Sequence, residues 1–424
     1  MASICVLGLG YVGLPTAALL AAAGHRVLGV DTDPRVLARL ANGEPHIDEP
    51  GLATVVRAAL QSGHLRPAAR PEAAEIFVIA VPTPLQRGEG LPRADLAAVR
   101  GAAESIVPVL RKGNLVLLES TSPPGTTRDV LAPVLERSGL SAERDLDVAY
   151  CPERVIPGNI LKELLANVRI VGGLTSRAAE RAAELYRTFV DGEIICTDAM
   201  TAELVKLMEN TYRDVNIALA NQLARMAEDL DVDAWRVIEL ANRHPRVHLH
   251  QPGPGVGGHC IGVDPWFLVE KLPEATRLLR VARELNDGVP KVMTDWAIDL
   301  VRDVTRPKIA LLGQAYKGDV DDARESPAVR VRDLLVARAG AQVATHDPHV
   351  GDHRDVAALH RCVDGAHLIV LLTPHAAYQQ LDPVDIAQRM ARRVILDTRG
   401  CVNRTAWRAA GFRVEVLGAS PRPR

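Results

Sequence analysis

Two groups of residues in this sequence have types and spacings that could carry out chemistry. Lys206 and Asn210 lie four positions apart in a segment without Pro or Gly, so a helix would place them on one face. Cys260 follows four glycines within six positions (253–258) and precedes Asp264-Pro265, a pair typical of a helix start. A helix N-terminus favours a thiolate. The pattern predicts a nucleophilic Cys260, although the residues alone leave open a buried cysteine and a solvent-facing Lys206.

The N-terminal residues predict a dinucleotide site. A short apolar strand leads into Gly8-Leu9-Gly10-Tyr11-Val12-Gly13, an Ala/Leu-rich helix and a second strand that ends at Asp31. The three glycines allow a tight turn, close approach of a pyrophosphate, and close helix–strand packing. Asp31 lies 23 positions after Gly8, near the position of the carboxylate that binds a ribose hydroxyl and disfavours a 2′-phosphate. The predicted cofactor is therefore NAD, although the nearby Arg35 leaves NADP open. The expected contacts are Gly8, Gly10, Tyr11, Val12, Gly13, Asp31 and Arg35.

The same strand-and-helix plan returns late in the chain. A strand-like segment ends at Gly313, Ser326-Pro327 begins a helix, and a later strand ends at Asp347. Further apolar segments follow at 368–372 and 394–397. Because this copy lacks two of the three glycines, we expect it to bind the nucleotide of a substrate rather than a dinucleotide.

A long helix is predicted between the two copies. Residues 201–230 contain no Pro or Gly and carry Leu and Met at helical spacing. The helix could be a core element of one domain, but its length favours a spine that also packs against a second subunit. The predicted fold is α/β, with two Rossmann-like doubly wound domains joined by a long central helix. The predicted domains are 1–198 for the cofactor, 199–300 for the central helical and dimerisation region with Lys206 and Cys260, and 301–424 for the substrate nucleotide.

Composition excludes several other classes of protein. Hydrophobic residues make up 47% and charged residues 24% of 424 residues, and the net charge is −2, so nothing indicates a nucleic-acid binder. No apolar run is long enough to span a membrane, and the N-terminal residues enter a strand without a signal-peptide pattern. The scattered cysteines predict neither a metal site nor disulfides. We expect a cytoplasmic protein.

Five motifs in order resemble the UDP-glucose/GDP-mannose dehydrogenase family over nearly the whole chain. They are the glycine turn at 8–13, Tyr150-Cys151-Pro152-Glu153-Arg154, Ala202 to Lys206 with Asn210, Gly257-Gly258-His259-Cys260 with Asp264, and Tyr316-Lys317 with Arg324 to Pro327. Segments 242–246 and 255–267 are most similar to the members that act on UDP-N-acetyl-D-mannosamine. One position departs from those members, which carry Lys where this chain has Arg399.

The resemblance implies a four-electron oxidation of the C6 alcohol of a UDP-sugar to a carboxylate, with release of two NADH. Cys260 would form a thiohemiacetal and then a thioester. Lys206 and Asn210 would stabilise the oxyanion, Asp264 and Thr121 would position water and protons, and Glu153 would assist hydrolysis or hold Lys206.

The resemblance also implies the remaining contacts and the assembly. Further cofactor contacts would be Thr83, Thr121, Thr127 and Arg324. Substrate contacts would be Arg154, Val155, Lys206, Asn210, Arg213, His244, Arg246, Gly257, Tyr316, Lys317 and Arg399, with Arg246 reaching the site of a neighbouring subunit in a homodimer or larger homo-oligomer. Alternatives are UDP-N-acetylglucosamine or UDP-glucose as substrate, a two-electron dehydrogenase, and a non-catalytic NAD-binding protein.

Overall fold

The computed structural model describes residues 1–419 apart from Arg87, Glu89, Pro157, His259, Ala339 and His353. The chain divides into two compact units, Met1–Glu209 with Trp266–Pro273 and Asn210–Pro265 with Glu274–Arg424. The three-domain division at 198/199 and 300/301 stays a prediction. Among the described residues, no helix combines the length and the apolar character that crossing a membrane requires.

The first unit contains a twisted eight-stranded sheet in the order β10-β9-β8-β7-β4-β1-β2-β3. Neighbouring strands pair in parallel except β8 and β9, which are antiparallel. The central strands are buried on both faces, which explains their continuous apolar sequences. The strands are β1 Ser3–Leu7, β2 Arg26–Val30, β3 Leu65–Ala68, β4 Ile76–Ile79, the hairpin β5 Leu85–Gln86 and β6 Arg93–Ala94, β7 Leu115–Leu118, β8 Asp147–Tyr150, β9 Arg169–Gly173 and β10 Ile194–Asp198.

The helices of the first unit cover both faces of this sheet, so two apolar cores form, one on each side. They are α1 Gly13–Ala22, α2 Pro34–Ala41, α3 Leu52–Gln61, α4 Ala97–Ile106, α5 Ala132–Leu135, α6 Ile160–Ala166 and α7 Ser176–Tyr186. A π-helical turn, Thr127–Leu131, precedes α5.

The division between the units falls within the long helix α8, Ala199–Leu230. The sequence predicted a start at Thr201, and the helix begins two residues earlier. The reason is Asp198, whose carboxylate accepts hydrogen bonds from the backbone N–H (2.9 Å) and the hydroxyl (2.6 Å) of Thr201 and so caps the first turn.

The second unit contains a parallel five-stranded sheet in the order β12-β11-β13-β14-β15. Its strands are β11 Lys308–Leu312, β12 Gln342–His346, β13 Leu368–Leu371, β14 Val394–Asp397 and β15 Arg413–Val416. After α8 come α9 Ala234–Ala241, α11 Arg277–Leu300, α12 Pro327–Arg338, α13 Val356–Val363, α14 Ala376–Gln379, α15 Pro383–Arg389 and α16 Arg404–Ala409. Between α9 and α11 lies α10 Asp264–Lys271, which belongs to the first unit from Trp266 onward.

The sheets of the two units, which are parallel apart from the β8/β9 pair, and the long helix confirm the predicted fold class. The predicted cap of α12 is also confirmed, because the Ser326 hydroxyl accepts from the N–H of Ala328 at 3.2 Å. The helix predicted at Asp264-Pro265 begins at Asp264 itself.

Candidate active site

The glycine turn between β1 and α1 has the geometry that a dinucleotide needs. Gly8 has φ +91°, and a Cβ there would lie 2.4 Å from the carbonyl oxygen of Ala80. A Cβ at Gly13 would overlap the carbonyl oxygen of Gly8, so α1 can pack this closely only with glycine. Gly10 is exposed, and a Cβ on it would meet nothing within 4 Å. The turn therefore leaves open space next to the N-terminus of α1, which fits a pyrophosphate.

Asp31 fixes this turn at the end of β2. Its carboxylate accepts from the N–H of Leu9 and from the N–H of Asp33, each at 2.9 Å, and the residue is partly exposed. Arg35 instead forks onto Asp33, with Nη2 2.8 Å from Oδ2, and this hydrogen bonding lowers the pKa of Asp33 to about 2. Arg35 is thus paired with Asp33, whereas the Asp31 carboxylate binds backbone N–H groups; the contact of Asp31 with a ribose stays a prediction.

Hydroxyls lie just beyond the carboxyl ends of β4 and β7. The Thr83 hydroxyl donates to the carbonyl oxygen of Thr121 at 2.5 Å. The Ser120 hydroxyl donates to the carbonyl of Val81 at 2.7 Å and accepts from its N–H at 2.9 Å. Thr83 and Thr121 are therefore brought together at the edge of the sheet where ligands of such folds bind.

Thr127 lies at the N-terminus of the π-helical turn, and its side chain is fully buried. Its hydroxyl donates to Oε1 of Glu203 at 2.7 Å, and its N–H donates to the same atom at 2.8 Å. The N–H of Gly125 donates to Oε2 at 2.5 Å. Glu203 thus caps this turn, and the Thr127 hydroxyl already donates its hydrogen to Glu203. A contact of Thr127 with the cofactor stays a prediction.

Glu153 follows β8 and is buried. Its Oε1 accepts from the N–H of Arg154 at 2.5 Å, and its Oε2 lies 3.2 Å from Nη2 of Arg169. The guanidinium of Arg154 forks onto Glu209, with Nε 3.0 Å and Nη2 2.5 Å from its carboxylate oxygens. Arg154 is thus held in one orientation, while its contact with a diphosphate stays a prediction.

Lys206 and Asn210 are both buried on α8. Among the described residues, no carboxylate lies within ion-pair distance of the Lys206 ammonium. The Asn210 side-chain amide donates to Oδ2 of Asp264 at 2.7 Å. The structure therefore brings two predicted site residues, Asn210 and Asp264, into direct contact.

The loop that carries Cys260 is shaped by its glycines. A Cβ at Gly257 would lie 2.7 Å from Cδ of Pro327, and one at Gly258 would lie 3.2 Å from the Tyr316 ring. Cys260 follows this loop and is exposed, and its carbonyl accepts from the N–H of Asp264 at 2.9 Å. His259, part of the motif in the sequence, lies outside the described residues.

Most other cysteines are poorly suited to be nucleophiles. Burial raises the pKa of the Cys151 thiol to about 11 and those of Cys5 and Cys362 to about 12. Cys196 shares the exposure of Cys260, but it lies on β10 without a glycine loop. The structure thus favours Cys260 as the reactive thiol.

The predicted substrate cations of the second unit mostly face solvent. Exposed side chains are those of Arg213, His244, Arg246 and Lys317, while Val155 in the first unit is partly exposed. Arg324, predicted as a cofactor contact, is also exposed. Arg324 forks onto Asp322, with Nη2 2.7 Å from Oδ2. Arg399 is partly exposed, and its Nε donates to the carbonyl of Leu372 at 3.0 Å. Their ligand contacts stay predictions.

One group of metal-ligand type lies in the second unit. Atoms of Asp319, His349 and His375 lie within 4.8 Å of one another. However, Nδ1 of His375 accepts from the N–H of Asp319 at 2.9 Å, and its Nε2 bonds Asp347 at 3.0 Å. Both ring nitrogens are engaged, so this group is a hydrogen-bonded support for the turns after β12 and β13.

Sequence reasoning missed a buried polar cluster in the first unit. The cluster consists of Glu119 directly after β7, Arg169 on β9 and Tyr186 on α7, which surround Glu153 and Cys151. One feature of the sequence could have indicated that Glu119 belongs to a site: it directly follows an apolar strand and precedes Ser120-Thr121.

A dinucleotide turn, a second Rossmann-like unit and an exposed cysteine on a glycine loop define a dehydrogenase that uses a dinucleotide and a nucleotide-linked substrate. The sequence profiles of the UDP-glucose/GDP-mannose dehydrogenase family match residues 2–190 (NAD binding domain), 200–288 (central domain) and 310–404 (UDP binding domain). The chain belongs to this family. It is an NAD-dependent UDP-sugar dehydrogenase.

Three similar proteins illustrate the range of the family. The UDP-N-acetyl-D-mannosamine dehydrogenase of Methanocaldococcus jannaschii is 47% identical, covering 98% of this chain and 96% of its own. The NDP-N-acetyl-D-galactosaminuronic acid dehydrogenase of Ralstonia solanacearum is 44% identical, covering 94% and 96%. The solved UDP-D-ManNAc dehydrogenase of Pyrococcus horikoshii is 40% identical with a TM-score of 0.92, covering 98% and 99%.

Proposed function

We propose that this enzyme oxidises the C6 alcohol of UDP-N-acetyl-D-mannosamine to the carboxylate in two steps, with release of two NADH. The observation that carries the proposal is the buried hydrogen bond from Asn210 to Asp264, because it fixes a helix residue and the loop of Cys260 in one arrangement. The names of the similar proteins from Methanocaldococcus jannaschii and Pyrococcus horikoshii support the choice of sugar.

In the first step the alcohol loses a hydride and a proton. Bound NAD accepts a hydride from the sugar carbon in each of the two oxidations. Lys206 is buried and lacks an ion-pair carboxylate among the described residues, so its ammonium is suited to stabilise the alkoxide. The Asn210 amide adds a hydrogen bond to the same oxygen, and its orientation is fixed by Asp264.

In the second step the thiolate of Cys260 forms a C–S bond to the aldehyde carbon, and the aldehyde oxygen takes up a proton. Loss of the second hydride and of that proton converts this thiohemiacetal to a thioester. Water then attacks the thioester carbon, the C–S bond breaks, and the proton released by the water returns the thiolate to a thiol. The exposure of Cys260 supports this role.

A second substrate is favoured by one observation. The Ralstonia solanacearum relative, which covers nearly the same length at 44% identity, is named for an N-acetylgalactosamine derivative. NADH release per sugar consumed should therefore be measured in parallel on the UDP derivatives of N-acetylmannosamine, N-acetylglucosamine, N-acetylgalactosamine and glucose. A ratio of two with the mannosamine compound preferred supports the proposal. Another preferred sugar corrects the substrate, and a ratio of one contradicts the thioester route.

The proposal includes a homodimer formed through α8. Tyr212, Leu219 and Met226 recur every seven residues on this helix and are 56%, 51% and 48% exposed. An exposed apolar stripe of this kind is typical of a protein interface. Light scattering should report a dimer for the wild type and a monomer for Leu219→Glu; an unchanged mass would place the interface elsewhere.

A further inference from the structure

A buried cluster in the first unit lies directly behind Glu153. Nη2 of Arg169 is 3.2 Å from Oε2 of Glu153, and Nη1 is 3.8 Å from the Cys151 sulfur. The guanidinium lies over the Tyr186 ring, 4.7 Å from its centroid, and the Tyr186 hydroxyl donates to Oε1 of Glu119 at 2.6 Å. Arg169 is therefore held between the ring on one side and the carboxylate of Glu153 on the other.

The charges of this cluster make Arg169 its one cation among the described residues. Burial raises the pKa of Cys151 to about 11 and that of Tyr186 well above its usual value, so both are neutral near pH 7. Burial raises the pKa of Glu119 to about 7, against the lowering effect of Arg169. The guanidinium of Arg169 thus interacts with two carboxyl groups: it contacts Glu153 directly and attracts the charge of Glu119 over a longer distance.

Stability alone is a poor explanation for this arrangement. The side chains of Arg169 and Glu153 are 5% and 8% exposed, and an ion pair so deeply buried costs about as much desolvation as it returns in attraction. Polar atoms also remain without a partner among the described residues, namely Nε of Arg169 and Oε2 of Glu119. Retaining such groups in a core points to a function.

The position of Glu153 indicates which function. It lies three residues beyond the end of β8, at the carboxyl edge of the parallel part of the sheet, where ligands bind. One of its oxygens accepts from its neighbour's N–H and the other faces Arg169. These two contacts hold the Glu153 carboxylate in one orientation.

We propose that Arg169 is a positioning residue that orients the Glu153 carboxylate for thioester hydrolysis, with the Tyr186 ring and Glu119 holding Arg169 from behind. The inference rests on the proposed function. In the step concerned, Glu153 accepts a proton from water as the water oxygen bonds to the thioester carbon. The C–S bond then breaks, the proton passes from Glu153 to the Cys260 sulfur, and the products are the thiol and the sugar acid, which releases its remaining proton to water to give the carboxylate.

The test separates hydrolysis from the two oxidations by rapid mixing of enzyme with excess NAD and UDP-sugar. Arg169→Met should still release two NADH per active site in a burst at a rate close to that of the wild type. Steady-state turnover should then fall about 10²-fold, the cost of misplacing a reacting group by about 1 Å. Glu153→Gln should give the same pattern, and Arg169→Lys should recover part of the steady-state rate.

A matched control is Arg177→Met. Arg177 also pairs with a buried carboxylate of this unit, with Nε 2.6 Å from Oδ1 of Asp147, but it lies outside the cluster. It should show wild-type kinetics. Tyr186→Phe keeps the ring under Arg169 and removes only the hydrogen bond to Glu119, so it should lower steady-state turnover less than Arg169→Met.

Each outcome of these experiments either supports or rejects the role of Arg169. If burst and steady state slow in parallel in Arg169→Met, the residue is merely structural and the inference is overturned. If Arg169→Met does not fold, Arg169→Lys decides: slowed hydrolysis after a normal burst supports the role, and unchanged or uniformly slowed kinetics reject it. A wild-type ratio of one NADH per sugar rejects the proposed function, and with it this inference; a ratio of two without the burst pattern rejects only the role of Arg169.

Discussion

The side-chain amide of Asn210 donates a hydrogen bond to Oδ2 of Asp264 at 2.7 Å, and both residues are buried. This contact links α8 to the helix that follows the Cys260 loop. A buried hydrogen bond to a charged group contributes about 1.5–3 kcal/mol, and its loss leaves the partner unsatisfied. The pair therefore acts as one unit rather than as two independent site residues.

The first prediction is that substitutions of this pair are not additive. Asn210→Ala and Asp264→Ala should each lower kcat/KM, and the double variant should be no worse than the worse single variant. The expected coupling free energy in the double-mutant cycle is about 1–3 kcal/mol. Asp264→Asn, which retains an acceptor for the Asn210 amide, should fold normally but remain slow, since it lacks the charge. Strictly additive losses would show that the hydrogen bond has no role in turnover.

The second prediction concerns the thiol. Cys260→Ala should form no sugar acid, because no thioester can form, while NAD binding measured by fluorescence quenching stays unchanged. Cys196→Ala is the control, because this cysteine shares the exposure but lies on β10. It should retain wild-type activity. Acid formation by Cys260→Ala at the normal rate would contradict covalent catalysis.

The third prediction concerns the cofactor. Asp31→Ala should raise the KM for NAD about tenfold or more, the cost of losing a hydrogen bond to a charged group, without a matching change for the sugar. It should also narrow the preference for NAD over NADP. Arg35→Ala should change neither constant much, because Arg35 is exposed and held by Asp33. An unaltered KM for NAD in Asp31→Ala would remove this carboxylate from the ribose.

The sequence predicted local features well because they depend on neighbours along the chain. The turn at Gly8, the strand Arg26–Val30 before Asp31 and the cap at Ser326 each follow from a few adjacent residues. The predicted start of α8 was two residues late, because the side chain of Asp198 caps the helix and the sequence pattern did not indicate this contact.

Contacts between distant segments could not be predicted in the same way. Glu119 and Arg169 are 50 positions apart in the sequence, and the hydroxyl of Thr127 is bound by Glu203, which is 76 positions away. The strand order β9-β8-β7 brings the first pair together, and the packing of α8 against the core of the first unit brings the second pair together. One sequence shows which residues are polar but not which of them share a buried space.

The fourth prediction is a pH-dependent stability effect of Glu119. Burial raises its pKa to about 7 in the folded state from the model-compound value of 4.5, so the folded protein binds more protons than the unfolded chain between these pH values. Stability should therefore fall as pH rises through this window and level off above about pH 7, by an amount on the order of 1–3 kcal/mol. Glu119→Gln cannot ionise and still accepts from the Tyr186 hydroxyl. Its Tm relative to the wild type should be higher at pH 8 than at pH 5.

Thermal unfolding at both pH values checks this prediction, with Glu104→Gln as the control. Glu104 lies in the same unit and pairs with Arg137, but its side chain is 52% exposed, so its substitution should shift Tm little and by a similar amount at both pH values. Parallel pH dependence of wild type and Glu119→Gln would mean that Glu119 is ionised in the folded protein at pH 5. Two ionised carboxylates, Glu119 and Glu153, would then compete for Arg169. The ion pair between Arg169 and Glu153 would be weaker than their separation of 3.2 Å indicates.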